Sequence, residues 1–142
     1  MANVFDVAQE ILEQQGEITA MKLQKLVYYA QAWHLVWAEE PLFTNRIEAW
    51  KDGPVCPDLW KAHASHFVVR KIENGDPGKL SKRQKRTVEK VLKYYGGRTA
   101  QWLSDLTHME DPWIEARRDA SPTERSNATI SHQAMHRYYS AL

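Results

Sequence analysis

Residues 23–37 constrain the fold more than any other segment, because apolar side chains surround the axis of the helix that they predict. Eleven of these fifteen residues are apolar, namely Leu23, Leu26, Val27, Tyr28, Tyr29, Ala30, Ala32, Trp33, Leu35, Val36 and Trp37. A helix that is apolar on most sides normally lies buried at the centre of a domain. Thr19 is a good N-cap for it, and Pro41 ends it, since the residue before a proline is pushed out of the helical region. We therefore expect a central helix against which the other elements pack.

Helical spacing and capping signals recur on both sides of this segment. They occur in residues 4–12, 57–67, 81–95, 100–108, 111–118 and from position 131 onwards. Gly16 is placed to end the first helix in a left-handed cap, Ser81 and Gln84 fit a capping box, and Ser131 is the expected cap of the last helix. Pro57 suits the first position of its helix, and Asp111 is the expected N-cap before a first-turn proline. The expected fold is all-α, a compact and mainly helical bundle of about six helices. It should form a single domain over residues 1–142.

Residues 46–52 differ from the helical segments. Ile47, Glu48, Ala49 and Trp50 follow a strand-like alternation, and the Lys-Asp-Gly-Pro run at residues 51–54 marks a turn. We expect a short strand or extended segment near residues 46–52. A second extended segment at residues 67–72 is its expected pairing partner.

Basic residues are concentrated in the middle of the chain, although the net charge is only +1. Residues 61–98 carry eleven Lys and Arg against three Asp and Glu, whereas residues 1–60 carry four against nine. The predicted basic helix at residues 79–93 can attract an acidic partner through its local field. It lacks a helix-turn-helix signature, and aromatic residues do not interleave with its basic run. We therefore expect a protein partner, with a nucleic-acid-binding regulator as the alternative.

Two groups of residues could carry chemistry. His132 and His136 have the spacing of two zinc ligands on one helix face, but the glutamate of a metalloprotease motif and a third ligand are missing from the sequence. Cys56 could act as a nucleophile with His63 or His66, although a cysteine next to a valine and a proline is typical of a small packing residue. Phosphate-binding, dinucleotide-binding and hydrolase motifs are absent. We expect no catalytic residue, metal or cofactor.

The amino-terminal residues lack a basic leader followed by an apolar run, so they predict no signal peptide. The sequence has no apolar stretch near the ~20 residues that a membrane span needs. A single cysteine also excludes an internal disulfide. These observations predict a cytoplasmic protein with no membrane partner.

Trp50 lies beside the predicted turn and among charged residues. Tryptophan is over-represented among the residues that carry binding energy at protein interfaces. The alternative is a tryptophan folded over a small core as a lid. The candidate partner-binding residues surround the turn and are Glu48, Trp50, Lys51, Asp52, Gly53 and Pro54.

Several spaced motifs together resemble the Panacea domain, the SocA-like antitoxin domain that also occurs in phage-associated proteins. The first motifs are residues 22–31 on the predicted central helix and residues 47–55, followed by Pro57. The later ones are residues 103–107, 112–113, 116–117, 130–131 and 138–139. These motifs cover almost the whole chain in the family's order.

This resemblance implies a compact, mainly helical antitoxin that binds a protein toxin encoded beside it and blocks it by direct contact. It also leaves a second mode open, in which the domain is an adaptor that delivers the toxin to a protease. The resemblance does not identify the contact residues, because the motif positions could equally be requirements of the core and of the turn. The toxin and the oligomeric state are not predicted.

Overall fold

The computed structural model describes residues 2–121 and 123–142, so that Met1 and Pro122 lie outside the described residues. Seven α-helices occur in the described part of the chain, together with one 3-10 turn at Pro77–Lys79. The helices are α1 (Val4–Gln15), α2 (Ala20–Ala38), α3 (Pro57–His63), α4 (Lys82–Tyr95), α5 (Ala100–His108), α6 (Asp111–Ala116) and α7 (His132–Ser140). The prediction of a mainly helical fold is confirmed, with one helix more than the six expected.

The central helix is α2, as the apolar run predicts. Its residues from Leu23 to Ala32 are all buried, and α1, α4, α5 and α7 pack around it. Thr19 caps its start, because the Thr19 hydroxyl accepts a hydrogen bond from the backbone N–H of Lys22 at 3.1 Å. The helix ends at Ala38, and Glu39 then takes a left-handed conformation with φ of 58° two residues before Pro41.

Two small antiparallel sheets accompany the helices. Strands β2 (Glu48–Trp50) and β3 (Gly53–Val55) form a hairpin with a two-residue turn. Strands β1 (Ile18–Thr19) and β4 (Val68–Val69) pair with each other, in the register Ile18 to Val69. The extended segments near residues 46–52 and 67–72 are therefore present, but the expected pairing between them is wrong. The hairpin turn supplies β2 with a neighbour close in sequence, and β4 lies instead beside the residues that lead into α2.

Three local predictions are also wrong. Phe67 is not part of a helix: α3 ends at His63, and Phe67 is 81% exposed with its carbonyl accepting from the Ala20 N–H at 2.9 Å. Glu110, not Asp111, is the N-cap of α6, which starts one residue earlier than predicted. Gly16 has a positive φ of 78°, but its ψ of −162° is not that of a left-handed helical cap.

A buried polar network joins α2 to the carboxyl-terminal helices. The Glu110 carboxylate accepts hydrogen bonds from the hydroxyls of Tyr29 and Tyr139, both at 2.7 Å. The Tyr28 and Tyr139 hydroxyls are 3.0 Å apart, and the rings of Tyr29 and Tyr95 stack with centroids 4.1 Å apart. These bonds fix α6 and α7 against the central helix.

Across residues 2–121 and 123–142, none of the helices has the length and apolar character needed to cross a membrane.

Candidate functional site

An open cleft of about 910 Å³ lies beside the β2–β3 hairpin. It is bounded by the start of α2, the hairpin, α3 and the loop that precedes α7. The lining residues are Ala20, Met21, Gln24, Lys25, Glu48, Trp50, Lys51, Asp52, Val55, Trp60, His63, Arg125, Ser126 and Asn127. A cleft of this size, with apolar walls and a few converging polar groups, is the usual form of a binding site.

Side chains from other elements hold the hairpin along most of its length. Six carbonyl oxygens between Ala49 and Cys56 each accept a hydrogen bond from a side chain. The donors are Arg117 to Ala49, Trp113 to Trp50, His108 to Lys51, Ser104 to Asp52, Lys25 to Pro54 and Gln24 to Cys56, at 2.7 to 3.3 Å. They come from α2, α5, α6 and the residue directly after α6. The turn is therefore fixed from three sides before any partner arrives.

Lys25 and Gly53 fit each other closely beneath the turn. Gly53 has a φ of +124°, and a Cβ at this position would lie 2.5 Å from Lys25 Cε. Only glycine allows both this backbone conformation and this approach. The Lys25 side chain is 1% exposed and lines the cleft, with its ammonium donating to the Pro54 carbonyl at 3.2 Å.

The charge on Lys25 is perturbed by its surroundings. Burial lowers the pKa of Lys25 to about 8, while the nearby Asp52 carboxylate raises it in part. An amine with this pKa is still mostly protonated at pH 7. The described residues place no carboxylate oxygen within 4.0 Å of its Nζ. The cleft therefore has a buried cation without a direct counterion.

Gln24, one residue before Lys25, joins the end of the hairpin to α3. Its amide oxygen accepts from the Cys56 N–H at 2.9 Å, and its amide nitrogen donates to the Cys56 carbonyl at 3.3 Å. The same nitrogen lies 2.9 Å from His63 Nε2. Burial lowers the pKa of His63, which favours a neutral ring that can accept this bond. Gln24 thus acts as a clamp between the two elements.

The structure places the candidate partner-binding residues at two depths. Lys51 and Asp52 are exposed at the tip of the turn, and Trp50 is half-buried on the cleft wall. Glu48, Gly53 and Pro54 are buried. Among the six candidates, only Lys51, Asp52 and Trp50 can therefore contact a partner while the hairpin stays in place.

Trp50 belongs to an aromatic wall that the sequence did not reveal. Its ring lies 5.8 Å from that of Trp60, which is 41% exposed, and its indole N–H donates to Glu48 Oε1 at 2.9 Å. Arg46 bonds the other oxygen of the Glu48 carboxylate at 2.6 Å. The two partners neutralise Glu48 and hold the Trp50 ring at the cleft. The tryptophan is packed on one side and accessible on the other.

Sequence reasoning missed the residues that position the hairpin. These residues all lie in segments that carry the family resemblance, namely Gln24, Lys25, Ser104, Trp113 and Arg117. Their residue types did not indicate that all of them donate to the backbone of one hairpin and of the residue after it. A polar pair inside an apolar helix, Gln24 and Lys25, was the one local signal. Buried polar side chains need partners, so such a pair points to a site that it serves.

The residues considered for catalysis lie in separate surroundings. Burial raises the pKa of the Cys56 thiol to about 11, so the thiol is protonated at neutral pH, and His63 is bonded to Gln24 instead. His136 Nε2 lies 2.9 Å from Glu39 Oε2, and His132 Nε2 lies 3.5 Å from the Gln31 amide. In the described part of the chain, no three His, Cys, Asp or Glu side chains form a cluster that could hold a metal.

The basic side of α4 is exposed, and none of its residues lines the cleft. Two nearby tryptophans are covered by cations of the chain itself: Lys90 lies over Trp37 at 5.2 Å and Arg98 over Trp102 at 4.4 Å. Tyr94 is 64% exposed. The basic side of α4 therefore has the positive charge that a nucleic acid would need. Of the three aromatic rings, however, only that of Tyr94 is free of a covering cation and available for stacking on a base.

Comparison with known families gives a match over most of the chain. Residues 23–114 match the family described as antitoxin SocA-like, Panacea domain. The chain belongs to this family. No curated protein and no solved structure gave a match.

The matched part of the Panacea domain runs from α2 to α6 and contains the hairpin with most of its supports. Lys25, Ser104, His108 and Trp113 fall inside it, and Arg117 lies three residues beyond its end. The structural role of these side chains in this Panacea domain is to donate hydrogen bonds to the hairpin backbone.

Proposed function

We propose that this chain is an antitoxin that neutralises a cognate protein toxin by direct binding, and that residues 1–142 act as one domain. The toxin-facing surface consists of the hairpin tip, Lys51 and Asp52, together with the adjoining wall of the cleft, Trp50 and Trp60. Membership of the SocA-like family supports the antitoxin role.

The observation that carries the choice of surface is the support of the hairpin backbone. Five of its carbonyls and that of the following Cys56 are held by side chains of other elements, while Lys51 and Asp52 at its tip remain exposed. A surface that is already rigid loses less conformational entropy on binding, so more of the contact energy becomes affinity. Exposed tips on such a scaffold are suited to recognition.

Stoichiometric binding, and not catalysis, is the proposed mode of action. The buried and protonated Cys56 does not supply a thiolate at neutral pH. The partly exposed tryptophans next to the charged tip are instead the residue types that dominate protein interfaces.

The proposal is tested by co-expression with the toxin encoded beside this chain. We expect the wild type to relieve growth arrest and to co-purify with intact toxin. The double variant Lys51→Glu with Asp52→Lys keeps the net charge but reverses both tip charges. It should bind the toxin at least ~10-fold more weakly, while its far-ultraviolet circular dichroism spectrum stays unchanged.

A matched control makes the same exchange elsewhere. Glu89 and Lys93 are exposed one turn apart on α4, so Glu89→Lys with Lys93→Glu also keeps the net charge. This control should neutralise like the wild type. Full neutralisation by the hairpin double variant would remove the tip from the interface. Toxin that disappears when the wild type is present would indicate delivery to a protease.

A further inference from the structure

The ammonium of Lys25 is the least satisfied charged group at the cleft. An ammonium has three N–H donors, and the Pro54 carbonyl accepts one of them. Taking a charge out of water without a counterion is costly, and the protein retains this arrangement at 1% exposure. Asp52 influences Lys25 from beyond 4.0 Å and is itself exposed at the tip. The described residues thus leave room for a direct counterion, which a partner can supply.

The other charges around the cleft also favour an incoming anion. Lys51 and Arg125 line it together with Lys25. The only carboxylates among the lining residues are Glu48 and Asp52, and Glu48 is already neutralised by Arg46. A local excess of positive charge in an apolar cleft attracts and orients a negative group.

Exposed apolar side chains lie at and beside the rim of the cleft. Met21 and Trp60 line the cleft and are each about 40% exposed. Phe67 and Val68 lie beside the residues that lead into Met21. The Phe67 carbonyl accepts a hydrogen bond from the Ala20 N–H, and Val68 pairs with Thr19. Exposed apolar side chains that surround a charged pocket are typical of a surface that binds a protein.

We propose that the cleft receives an acidic side chain of a partner protein. The Lys25 side chain, buried in the free chain, turns its ammonium toward the cleft to pair with the carboxylate, while the apolar neighbours of the acidic residue pack on Trp50, Trp60 and Phe67. The proposal rests on the proposed function in that the partner is the toxin. It goes further by stating which chemical group of the toxin enters and which residue receives it.

The central test replaces Lys25 by methionine, which has a similar length and no charge. The change also removes the hydrogen bond to the buried Pro54 carbonyl and should cost some stability, so circular dichroism and urea denaturation check that the variant is folded. Toxin binding should weaken about 30-fold or more, because the partner's carboxylate would then be buried without a counterion. Lys22→Met is the matched control: Lys22 lies on the same helix, but its ammonium donates to the Gly96 carbonyl at 2.7 Å and it does not line the cleft. The control should bind like the wild type.

Peptide selection tests the cleft without the toxin. Random dodecapeptides displayed on phage are selected on the wild type, and the selected peptides are then tested on the Lys25→Met variant. The selected peptides should share one Asp or Glu with apolar residues beside it. Changing that residue to Asn or Gln should weaken binding about 30-fold, and the Lys22→Met protein should bind the peptides like the wild type.

Four results would overturn the inference. Selected peptides could bind the Lys25→Met protein as tightly as the wild type, or share no acidic residue, or fail to emerge at all. Binding of free N-acetylglutamate as tight as that of the peptides would assign the cleft to a small carboxylate and contradict a protein occupant.

The co-expression assay separates this inference from the function on which it rests. If the Lys25→Met variant relieves growth arrest and binds the toxin like the wild type, the carboxylate site is wrong and the antitoxin function stands. If the wild type itself neither binds nor neutralises the toxin, the antitoxin function is wrong, and peptide selection still decides whether the cleft takes an acidic segment.

Discussion

Gly53 packs directly against the side chain of Lys25 on the central helix. Its positive φ and the Lys25 methylenes beneath it exclude any side chain, and Thr107 Oγ1 would lie 3.2 Å from an added Cβ. The Asp-Gly pair predicted a turn here from local conformation alone. Contact with Lys25 is a second reason for the glycine, and it arises only in the folded chain.

We therefore expect Gly53→Ala to lower the free energy of unfolding by about 1 to 3 kcal/mol, from the strained φ and the displaced Lys25 side chain. Urea denaturation at pH 7 measures this. Gly97→Ala is the control, because a Cβ there meets nothing within 4 Å and the residue has no positive φ. Equal stability of the two variants would contradict the close packing at Gly53.

The central helix α2 contacts more elements than any other, and different side chains along it bind different parts of the chain. Gln24 and Lys25 near its start hold the hairpin, whereas Gln31 bonds the backbone of Leu42 and Phe43 in the following loop. Tyr28 and Tyr29 join the network that ends at Glu110. A single helix therefore supports both the site and the carboxyl-terminal helices.

Glu110 should make stability depend on pH. Burial raises its pKa above 4.5, although the bonds from Tyr29 and Tyr139 lower it in part. The folded chain thus binds this proton more tightly than the unfolded chain, so the free energy of unfolding falls as the pH rises from 4.5 through the folded pKa. The Glu110→Gln variant keeps an acceptor oxygen and has no titrating group at this position. Its free energy of unfolding should therefore not show this decrease with pH.

Urea denaturation between pH 4 and 8 compares the wild type with the Glu110→Gln variant. We expect the stability of the variant relative to the wild type to increase with pH. Glu115→Gln, which removes an exposed carboxylate of α6, is the control for the loss of one negative charge nearby. A constant difference between wild type and Glu110→Gln would show that Glu110 has the same pKa in both states.

At the scale of the whole molecule, the basic charge and the proposed binding site lie on different elements. The basic α4 packs against α1 and α2, whereas the cleft is built from α2, α3, the hairpin and the loop before α7. A charged surface beside an interface mainly changes how fast the partners meet, and the buried contacts set how slowly they separate. The positive field of α4 should therefore act on association.

We expect the triple variant Lys82→Glu, Arg86→Glu and Lys93→Glu to associate with the toxin about 10-fold more slowly at low salt, with a nearly unchanged dissociation rate. Surface plasmon resonance at low and high salt measures both rates. The charge-conserving control, Lys82→Arg, Arg86→Lys and Lys93→Arg, should behave like the wild type. Faster association of the triple variant would show that the toxin surface is basic. Tight, salt-sensitive binding of labelled DNA or RNA by the wild type would instead support the nucleic-acid alternative.

Predictions that depend on neighbouring residues in the sequence agree with the structure. Ser81 and Ser131 cap their helices, and Pro57 occupies the first position of α3. The predictions that depend on distant contacts are the ones that fail. Phe67 has the character of a buried helical residue, yet its backbone bonds the start of α2, and the strand that follows it pairs with β1.

The sequence by itself determined the helices, the central position of α2 and the turn at residues 51–52, because periodicity, caps and turn residues act over a few positions. Only the tertiary structure decided that Gln24, Lys25, Ser104, Trp113 and Arg117 meet at one hairpin. These side chains are up to 93 residues apart in the chain, from Gln24 to Arg117. They donate to backbone carbonyls, which every residue has. The type of the accepting residue therefore does not indicate which side chain will bind it. The cleft and its buried cation exist only once the helices have packed.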